Sequence, residues 1–358
     1  MPNLFDPVRV GDLDLPNRVI MAPLTRLRAG ETHIPNALMA DYYAQRASAG
    51  LIISEAVPVT PQGIGYEGVP GVWSNAQVEG WKLVTRAVKA AGGRIFMQLW
   101  HVGRISDPSF LNGQPPVSAS AIAAKGHVSL LRPERPYPTP RALELDEIPG
   151  VVEAYRQGAE FAQAAGFDGV EIHGANGYLL DQFLQDGSNT RTDEYGGPIE
   201  NRARLMLEVT DAAVSVWGRD RVGMHLAPRA DSHSMGDSDL AATFGYAVKQ
   251  LDKKGIAFIC AREHQGPDSL GPDLRKAFGG VYIANEGFTG ESAQAALDAG
   301  IADAVAFGKA FISNPDLPER LRIGAPLNDL VPATIYSPDE RGYTDYPSLA
   351  QAKVPVDA

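Results

Sequence analysis

One phrase recurs along this chain: a helix-like stretch ends in a small residue or a lysine followed by glycine, and a short apolar strand begins. Glycine suits that position because it adopts, without steric cost, the positive φ with which many helices end. The apolar runs do not alternate with polar residues, which is typical of parallel strands buried on both faces. The phrase occurs as ASAGLIIS (47–54), AAGGRIFMQL (90–99), AAGFDGVEIH (164–173), KKGIAFIC (253–260) and DAGIADAVAFG (298–308).

Three further apolar runs bring the predicted strands to eight: VIMAP (19–23), VGMHL (222–226) and VYIAN (281–285). Apolar residues at helical spacing between the strands predict amphipathic helices. One such face comprises Val78, Trp81, Val84, Val88 and Ala91, and another comprises Ile199, Ala203, Met206, Val209, Ala213 and Val216, with Pro198 in the first turn. Eight such units favour a (β/α)8 barrel over an open doubly wound sheet, and a single barrel with insertions accommodates 358 residues.

Residues 101–145 interrupt this alternation of strands and helices. They contain 7 of the 27 prolines of the chain, including those of PERPYPTPR. Proline fixes φ and lacks an N–H donor, so the segment is predicted to be an insertion rather than another βα unit. Because it follows the third strand, on the side where barrel loops surround an active site, we expect it to cap that site. We also expect one domain that spans residues 1–358.

The composition excludes several classes of protein. A formal net charge of −11 argues against nucleic-acid binding, which needs basic surfaces to neutralise phosphates. No apolar run approaches the ~20 residues of a membrane span, and MPNLFDPVRV lacks a basic and apolar signal region. Cys260 is the only cysteine and lies in the apolar run IAFIC, so we expect a small buried side chain and no internal disulfide. A cytoplasmic location is expected.

In a (β/α)8 barrel, chemistry gathers at the carboxyl ends of the strands. The predicted ends carry Pro23, Leu24, Thr25, Ser54, Glu55, Ala56, Gln98, Leu99, Trp100, His101, His173, Asn176, His225, Asn285, Gly308 and Lys309. A catalytic metal is disfavoured, because the first strand has no His-x-His pair and Glu55 is the one carboxylate directly at a strand end with a histidine, His101, on the next strand. The loops ANEGFTG (284–290) and FGKAF (307–311) offer glycines and a lysine suited to a phosphate. Together with the neutral amide of Gln98, they suit a phosphorylated heterocycle such as flavin mononucleotide (FMN).

Longer motifs extend over nearly the whole chain. They are MAPLTR (21–26), QLWHVGR (98–104), TPRALE (139–144), EIHGANGYLLDQFLQDGSNTRTDEYGGPIENRARL (171–205), FGKAFISNPDL (307–317) and GYTDYPSL (342–349). Together they resemble the Old Yellow Enzyme family, and within it the bacterial N-ethylmaleimide, xenobiotic and glycerol trinitrate reductases. The resemblance implies an NAD(P)H-dependent ene-reductase with a (β/α)8 barrel and tightly bound, non-covalent FMN.

The resemblance also implies which residues hold the cofactor. In chain order these are Pro23, Leu24, Thr25, Ala56, Gln98, His225, Asn285, Gly308 and Lys309. Thr25 is expected beside the O4 and N5 edge of the flavin, and Gln98 at its pyrimidine edge. The last three are expected at the phosphate, where many relatives have arginine in place of Lys309. Lysine supplies the charge without the planar fork of arginine, so a looser contact is expected.

His225 departs from the family pattern, since many members have arginine here, facing the N1 and O2 edge of the flavin. Negative charge collects at that edge when the flavin is reduced, and a histidine meets it with a full positive charge only when protonated. We therefore expect His225 to be the electrostatic partner of the flavin and to gain a proton on reduction. A neutral histidine in a polar wall is the alternative left open.

The resemblance further implies ping-pong hydride transfer by way of flavin N5. NADPH or NADH reduces the flavin, and an electron-poor alkene, such as an α,β-unsaturated carbonyl, a maleimide or a nitroalkene, then takes the hydride. Nitroaromatics and nitrate esters are further acceptors of this class. His173 and Asn176 are expected to donate hydrogen bonds to the carbonyl or nitro oxygen, and Tyr178 to deliver the proton. The aromatic residues expected to wall the substrate pocket are Tyr66, Trp100 and Tyr336.

Two other functions stay open on the residues alone. One is a flavin- or ligand-binding barrel without turnover, and the other is a metal- or Schiff-base-dependent barrel lyase or hydrolase that uses the histidines at the strand ends and Lys309. Arg132 and Arg141 of the insertion either meet a nicotinamide phosphate or brace the insertion. Tyr343 and Tyr346 are assigned to structure. The sequence distinguishes neither NADPH from NADH nor a monomer from a homodimer.

Overall fold

Eight parallel strands close into a barrel in the computed structural model, which describes residues 2–230 and 232–352. The strands pair in chain order, and the last pairs with the first. Their bounds are β1 (Val19–Met21), β2 (Leu51–Pro58), β3 (Ile95–Trp100), β4 (Gly169–His173), β5 (Val222–Leu226), β6 (Phe258–Arg262), β7 (Val281–Asn285) and β8 (Ala304–Phe307). Each lies on a predicted apolar run, so the predicted (β/α)8 barrel is confirmed.

Apolar side chains fill the interior of the barrel at its amino end. Ile20, Phe96 and Phe258 belong to a buried apolar cluster contributed by several strands. An antiparallel hairpin, Val8–Val10 with Leu13–Leu15, adds its apolar side chains to the same cluster. With the interior filled by side chains at this end, it is the carboxyl end at which the barrel interior opens, and ligands usually bind at that end in this fold.

Helices alternate with the strands and pack around the barrel. In the described part of the chain their bounds are α1 (Ala37–Gln45), α2 (Asn75–Ala90), α3 (Ile148–Ala164), α4 (Leu179–Leu184), α5 (Ile199–Arg202), α6 (Arg204–Trp217), α7 (Leu240–Lys254), α8 (Gly271–Ala277), α9 (Gly290–Asp298), α10 (Lys309–Ser313), α11 (Leu317–Ile323) and α12 (Leu349–Ala352). Apolar faces of α1, α2, α3, α6 and α7 join the core that covers the outside of the strands. Such burial stabilises a helix more than its intrinsic propensity does. None of the helices within the described residues is long and apolar enough to cross a membrane.

The predicted helical faces are buried, with differences at their ends. Along α2 the face is buried except for Ala91, which lies one residue beyond the helix and is exposed. The second face is shared by two helices, because the chain bends at Ala203 between α5 and α6. Pro198 is predicted to lie in the first turn of this helix, and it is instead the N-cap of α5. Apolar spacing continues across the bend, so the pattern alone gives no sign of it.

The proline-rich segment after β3 covers the carboxyl end of the barrel. It contains two short paired strands, Val117–Ser118 and Arg141–Ala142. Its Val128 and Tyr137 lie in one apolar cluster with Trp100, the last residue of β3. The predicted capping insertion after the third strand is therefore confirmed.

Candidate active site

Two adjoining cavities of about 600 Å³ and 310 Å³ open at the carboxyl ends of the strands. Every site residue predicted from the sequence lines at least one of them. The larger cavity is lined by Pro23, Leu24, His173, Asn176, His225, Asn285, Gly308 and Lys309. The smaller is lined by Pro23, Leu24, Thr25, Ala56, Tyr66, Gln98, Trp100, His173, Asn176, Tyr178, Lys309 and Tyr336. The fold thus brings the predicted residues together, while the role of each stays a prediction.

His173 is the last residue of β4 and is buried at the boundary of the two cavities. Burial, together with the neighbouring His225 and Arg262, lowers the pKa of His173 well below its usual range, so the imidazole is neutral at neutral pH. Its Nδ1 accepts a hydrogen bond of 3.3 Å from the backbone N–H of Ala175. In a neutral ring with Nδ1 as acceptor, the proton is on Nε2. His173 is therefore a hydrogen-bond donor through Nε2–H.

Tyr178 follows five residues later and precedes α4 as its N-cap. Its hydroxyl lies 3.0 Å from the hydroxyl of Tyr66. Burial, followed by the charge of the neighbouring Tyr66, raises the pKa of Tyr178 well above its usual value. Burial likewise raises the pKa of Tyr66 to about 12. Both phenols are therefore protonated across the physiological pH range, and each can donate a proton or a hydrogen bond.

The aromatic residues predicted to wall the pocket occupy different depths. Trp100 has no exposed surface and lies behind the other rings, edge-on to Tyr178 at 4.8 Å and stacked with His173 at 6.0 Å between ring centroids. It also stacks with Tyr66 at 5.8 Å. Tyr336 is exposed at the mouth. Trp100 thus fixes the orientation of the two rings in front of it, whereas Tyr66 and Tyr336 border open space.

Asn176 lies in the turn between His173 and Tyr178 with a left-handed backbone, φ 58°. Asparagine tolerates this conformation better than most residues with a side chain. Its side-chain Oδ1 accepts a hydrogen bond of 2.8 Å from Nη1 of Arg262, which lines both cavities. The other terminal nitrogen of Arg262 forms an ion pair of 2.9 Å with Glu286.

Arg262 was missed in the sequence because the sixth predicted strand ended at Cys260. In the structure β6 continues to Arg262, whose backbone is in register with Asn285 of β7. Aligning the carboxyl end of the sixth predicted strand with that of the seventh, at Asn285, would have identified Arg262 as a strand-end residue. His233 was missed for another reason: it lies in the loop after β5, where no periodic pattern exists, and it lines the smaller cavity.

The floor of the site is polar and buried. Gln98 donates a hydrogen bond of 2.6 Å through Nε2 to Oε2 of Glu171, and His225 Nδ1 lies 3.5 Å from the same oxygen. Both ring nitrogens of His225 and Oε1 of Glu171 have no hydrogen-bond partner within residues 2–230 and 232–352. Unpaired buried polar atoms are costly, which suggests that a bound polar group completes them. Glu171 was also missed; its signal is the two-residue spacing from His173, which places both side chains on one side of β4.

Cys260 lies beside this floor. Its sulfur, a carboxylate oxygen of Glu171 and a ring nitrogen of His225 are within 4.8 Å of one another, an arrangement that has the ligand types of a metal site. Burial and the nearby Glu171 raise the pKa of Cys260 well above its usual value, so the sulfur stays a thiol. A cation bound here would displace the thiol proton; without one, the cluster presents a neutral thiol beside the unpaired oxygen of Glu171 and the unpaired ring nitrogens of His225.

The larger cavity ends where β7 and β8 finish. Asn285 donates one amide hydrogen to the backbone oxygen of Ala306, at 2.8 Å, which leaves the second for the cavity. A Cβ placed at Gly308 would lie 3.3 Å from the side chain of Leu24, so a side chain here would fill space between the two loops. Lys309 lines both cavities and brings a positive charge to this end. Such a backbone-lined, cationic end fits a phosphate.

Residues 3–328 match the model of the NADH:flavin oxidoreductase / NADH oxidase family. The Old Yellow Enzyme homologue of Zymomonas mobilis superposes with a TM-score of 0.94 at 47% identity, over 97% of this chain and 99% of that one. The chain belongs to the Old Yellow Enzyme family. It is also 43% identical to 12-oxophytodienoate reductase 2 of Arabidopsis thaliana, over 97% of this chain and 96% of that protein. Morphinone reductase in complex with tetrahydroNAD matches with a TM-score of 0.95 at 49% identity, covering 99% of both chains.

Membership decides between the functions that the residues left open. As an Old Yellow Enzyme, the chain is an FMN-dependent NAD(P)H oxidoreductase of the ene-reductase class, as the resemblance predicted. The residues on which a metal-dependent alternative rested have other contacts. The carboxylate of Glu55 accepts the backbone N–H groups of Arg26 at 2.9 Å and Leu27 at 3.2 Å, and so braces the loop after β1. His101 Nδ1 accepts the N–H of Gly103 at 3.1 Å.

Arg132 and Arg141, the two arginines of the insertion considered for a nicotinamide phosphate, differ in their contacts in this Old Yellow Enzyme. Arg141 forms two short contacts with the carboxylate of Glu147, at 2.5 and 2.7 Å, and braces the insertion against the start of α3. Arg132 is exposed and lines a third cavity of about 560 Å³, which Tyr336 borders as well. Tyr343 is buried and stacks on Tyr42 with 4.0 Å between centroids, a packing role.

Proposed function

We propose that this Old Yellow Enzyme reduces the C=C bond of an electron-poor alkene, with NADPH or NADH as the source of hydride. Bound FMN would supply hydride transfer from the nicotinamide to the β-carbon of the alkene by way of its N5. The observation that carries the proposal is the convergence of His173, Asn176 and Tyr178 on one cavity of about 310 Å³. Two of them offer N–H donors and the third offers a protonated phenol.

The residues present fit FMN. The unpaired polar atoms of Glu171 and His225, with Gln98, match the hydrogen-bonding edge of a flavin pyrimidine. We propose that Pro23, Leu24, Thr25 and Ala56 line the ring and that Asn285, Gly308 and Lys309 hold the phosphate, since these residues line the two cavities.

His173 and Asn176 bind the carbonyl or nitro oxygen of the acceptor. His173 donates through Nε2–H, because Nδ1 is occupied by the N–H of Ala175. Asn176 donates through Nδ2, because Oδ1 is occupied by Arg262. Two preorganised donors stabilise the negative charge that grows on this oxygen, and the β-carbon becomes a better hydride acceptor. Because its pKa is low, His173 gives this hydrogen bond as a neutral donor.

Tyr178 delivers the proton to the α-carbon. Its raised pKa keeps the phenol protonated until the acceptor carries negative charge, when the α-carbon is basic enough to take the proton. The hydroxyl of Tyr66, 3.0 Å away, can then donate a hydrogen bond to the phenolate that remains. Trp100, packed behind both His173 and Tyr178, keeps donor and acid in a fixed relation.

His225 is proposed as the electrostatic partner of the flavin N1 and O2 edge, and it gains a proton as negative charge collects there. Glu171, whose carboxylate oxygen lies 3.5 Å from His225 Nδ1, stabilises the protonated ring. Flavin midpoint potentials of the wild type and of His225→Gln, measured across pH, test this role. The wild type is expected to show the steeper dependence on pH, and equal slopes for the two proteins would refute it.

An anaerobic titration tests the function as a whole. The purified protein is expected to be yellow, to be bleached by NADPH or NADH under argon, and to recover its colour when 2-cyclohexenone is added. Colourless protein that binds no FMN would exclude the ene-reductase. Yellow protein that neither nicotinamide bleaches would favour the alternative, a flavin-binding barrel without turnover.

The same proposal covers the range of acceptors and the location and assembly of the protein. Maleimides and nitroalkenes fit the two donors as well as enones do, and nitroaromatics and nitrate esters carry the same type of oxygen. The relatives named after 12-oxophytodienoate and morphinone suggest cyclic enones as the first compounds to assay. We further propose that residues 1–358 act as a single FMN-binding domain in the cytoplasm, as a monomer or homodimer, without nucleic-acid or membrane partners. Cell fractionation and light scattering would test location and assembly.

A further inference from the structure

We propose that Arg262 is a positioning residue, which fixes the side-chain amide of Asn176 so that its nitrogen faces the acceptor. The inference rests on the proposed function, in which Asn176 is one of two donors to the acceptor oxygen. It adds the residue that fixes which end of the Asn176 amide faces the acceptor. Arg262 does this from the carboxyl end of β6, by direct contact with Asn176 in the turn after β4.

An asparagine amide has an acceptor end and a donor end of nearly the same shape. Rotation by half a turn exchanges them, and a free Asn176 would present its oxygen to the acceptor oxygen part of the time. Arginine has only donors. Since Nη1 of Arg262 lies 2.8 Å from Oδ1 of Asn176, the reversed amide would place N–H groups against a cation. The amide nitrogen is thereby held toward the cavity.

Arg262 is itself held in place from two sides. Its second terminal nitrogen lies 2.9 Å from Oε1 of Glu286, in the loop after β7. Arg262 is also the last residue of β6, where its backbone pairs with Asn285 of β7. Glu286 has a left-handed backbone, φ 91°, which is an unfavourable conformation for a residue with a side chain. The series Glu286, Arg262 and Asn176 therefore connects the loop after β7 and the carboxyl end of β6 to one donor atom in the turn after β4.

The backbone of Asn176 is fixed as well. Its carbonyl oxygen lies 2.7 Å from Nδ1 of His233, and its φ of 58° directs the side chain into the cavity. The guanidinium of Arg262 also contributes to the low pKa of His173, which supports a neutral ring at the neighbouring donor. Both hydrogen-bond donors proposed for the acceptor oxygen are thus oriented by a partner at their opposite end.

A double-mutant cycle in the FMN-loaded enzyme tests the inference, with Arg262→Met and Asn176→Ala. The Kd of 2-cyclohexenone is measured from its effect on the flavin absorbance of the oxidised enzyme, and the reoxidation rate is measured after anaerobic reduction. Arg262→Met alone is expected to raise the Kd and slow reoxidation by about tenfold, the worth of one oriented hydrogen bond. Arg262→Lys, which keeps the charge and an N–H donor, is expected to recover part of the loss.

In the Asn176→Ala background, no amide is left to orient, so Arg262→Met is expected to change both quantities by less than about twofold. An equal loss in both backgrounds would show that Arg262 acts directly on the acceptor or the flavin, and would overturn the inference. A shift of the flavin midpoint potential of the same size in both backgrounds would overturn it too.

A second variant keeps the test available if Arg262→Met loses FMN or fails to fold. Glu286→Ala releases the guanidinium from its ion pair and is expected to give the same pattern with a smaller loss, about threefold for one weakened contact. Losses that persist without Asn176 would again refute the inference. If the wild-type enzyme is not reoxidised by the enone, the proposed function fails and the inference with it. If the enzyme is active and the effects of the Arg262 and Asn176 substitutions are additive, the inference is overturned while the proposed function stands.

Discussion

Replacing Tyr178 by phenylalanine removes a single oxygen and separates the proton-transfer step from the rest of the reaction. The ring keeps its edge-on contacts, 4.8 Å to Trp100 and 5.1 Å to His173 between centroids, so the shape of the pocket is preserved. A general acid contributes about 10²–10⁴-fold to a rate. Since the hydroxyl of Tyr66 is 3.0 Å from the lost oxygen and offers a substitute donor, we expect the lower part of this range, about 10²–10³-fold. That loss is about 3–4 kcal/mol of activation free energy.

Stopped-flow measurements under argon resolve the two half-reactions. Bleaching of the flavin by NADPH needs no proton from Tyr178, so Tyr178→Phe is expected to keep this rate within about twofold. Recovery of the flavin absorbance with 2-cyclohexenone is expected to slow by the full factor. If both half-reactions keep their wild-type rates, Tyr178 is not the proton donor.

Tyr66→Phe is the matched control, because it removes the neighbouring hydroxyl and leaves the acid in place. A smaller loss in the alkene half-reaction, about tenfold or less, is expected from one missing hydrogen bond. The raised pKa of Tyr178 also predicts the pH profile: the acid loses its proton only above its ordinary value of 10.0, so the wild-type reoxidation rate should not fall with rising pH below that point. A decline that begins near pH 8 would contradict this.

Three further predictions concern stability and the cofactor. Glu55→Ala leaves two backbone N–H groups of the β1 loop without their acceptor, so the free energy of unfolding in urea should fall by about 2–4 kcal/mol, and by less in Glu55→Gln; equal stability would refute the bracing role. Gly308→Val places a side chain against Leu24 and should weaken FMN binding by the apoprotein about tenfold, while Gly150→Val, where a Cβ meets nothing within 4 Å, should not. Burial lowers the pKa of His101 to about 3, so the unfolded chain binds a proton near pH 6.5 that the folded chain does not, and stability should decline as pH falls between these values. His101→Gln should decline less steeply in the same urea series, and a parallel decline would contradict this assignment.

The strands and their order were predictable from the sequence because each of them repeats one local pattern. A glycine that ends a helix and the apolar run after it are contiguous, and barrel closure follows from the count. The bend at Ala203 was not predictable, since the apolar spacing runs through it without interruption. Cys260 was predicted as a small buried side chain, and it is buried.

The residues of the candidate site also divide into those that the sequence could predict and those that it could not. Residues that follow directly on an apolar strand, such as His173 and Lys309, are visible in the sequence as polar residues at a strand end. Arg262 was missed because an apolar run does not show where its strand stops pairing, and β6 pairs for two residues beyond Cys260. Glu171 was hidden within a buried strand, and its bond to Gln98 depends on the register between β4 and β3. Contacts across strands of this kind are set by the closed barrel and have no local signature.

The product of a single turnover tests the central claim most directly. Enzyme reduced with one equivalent of NADPH under argon is mixed with 2-cyclohexenone in D₂O, and the product is analysed at once by NMR. The site described here predicts cyclohexanone with one deuterium at the α-carbon, together with full recovery of the flavin absorbance. Formation of 2-cyclohexenol, or of cyclohexanone without deuterium at the α-carbon, would contradict hydride delivery to the β-carbon with proton transfer from Tyr178.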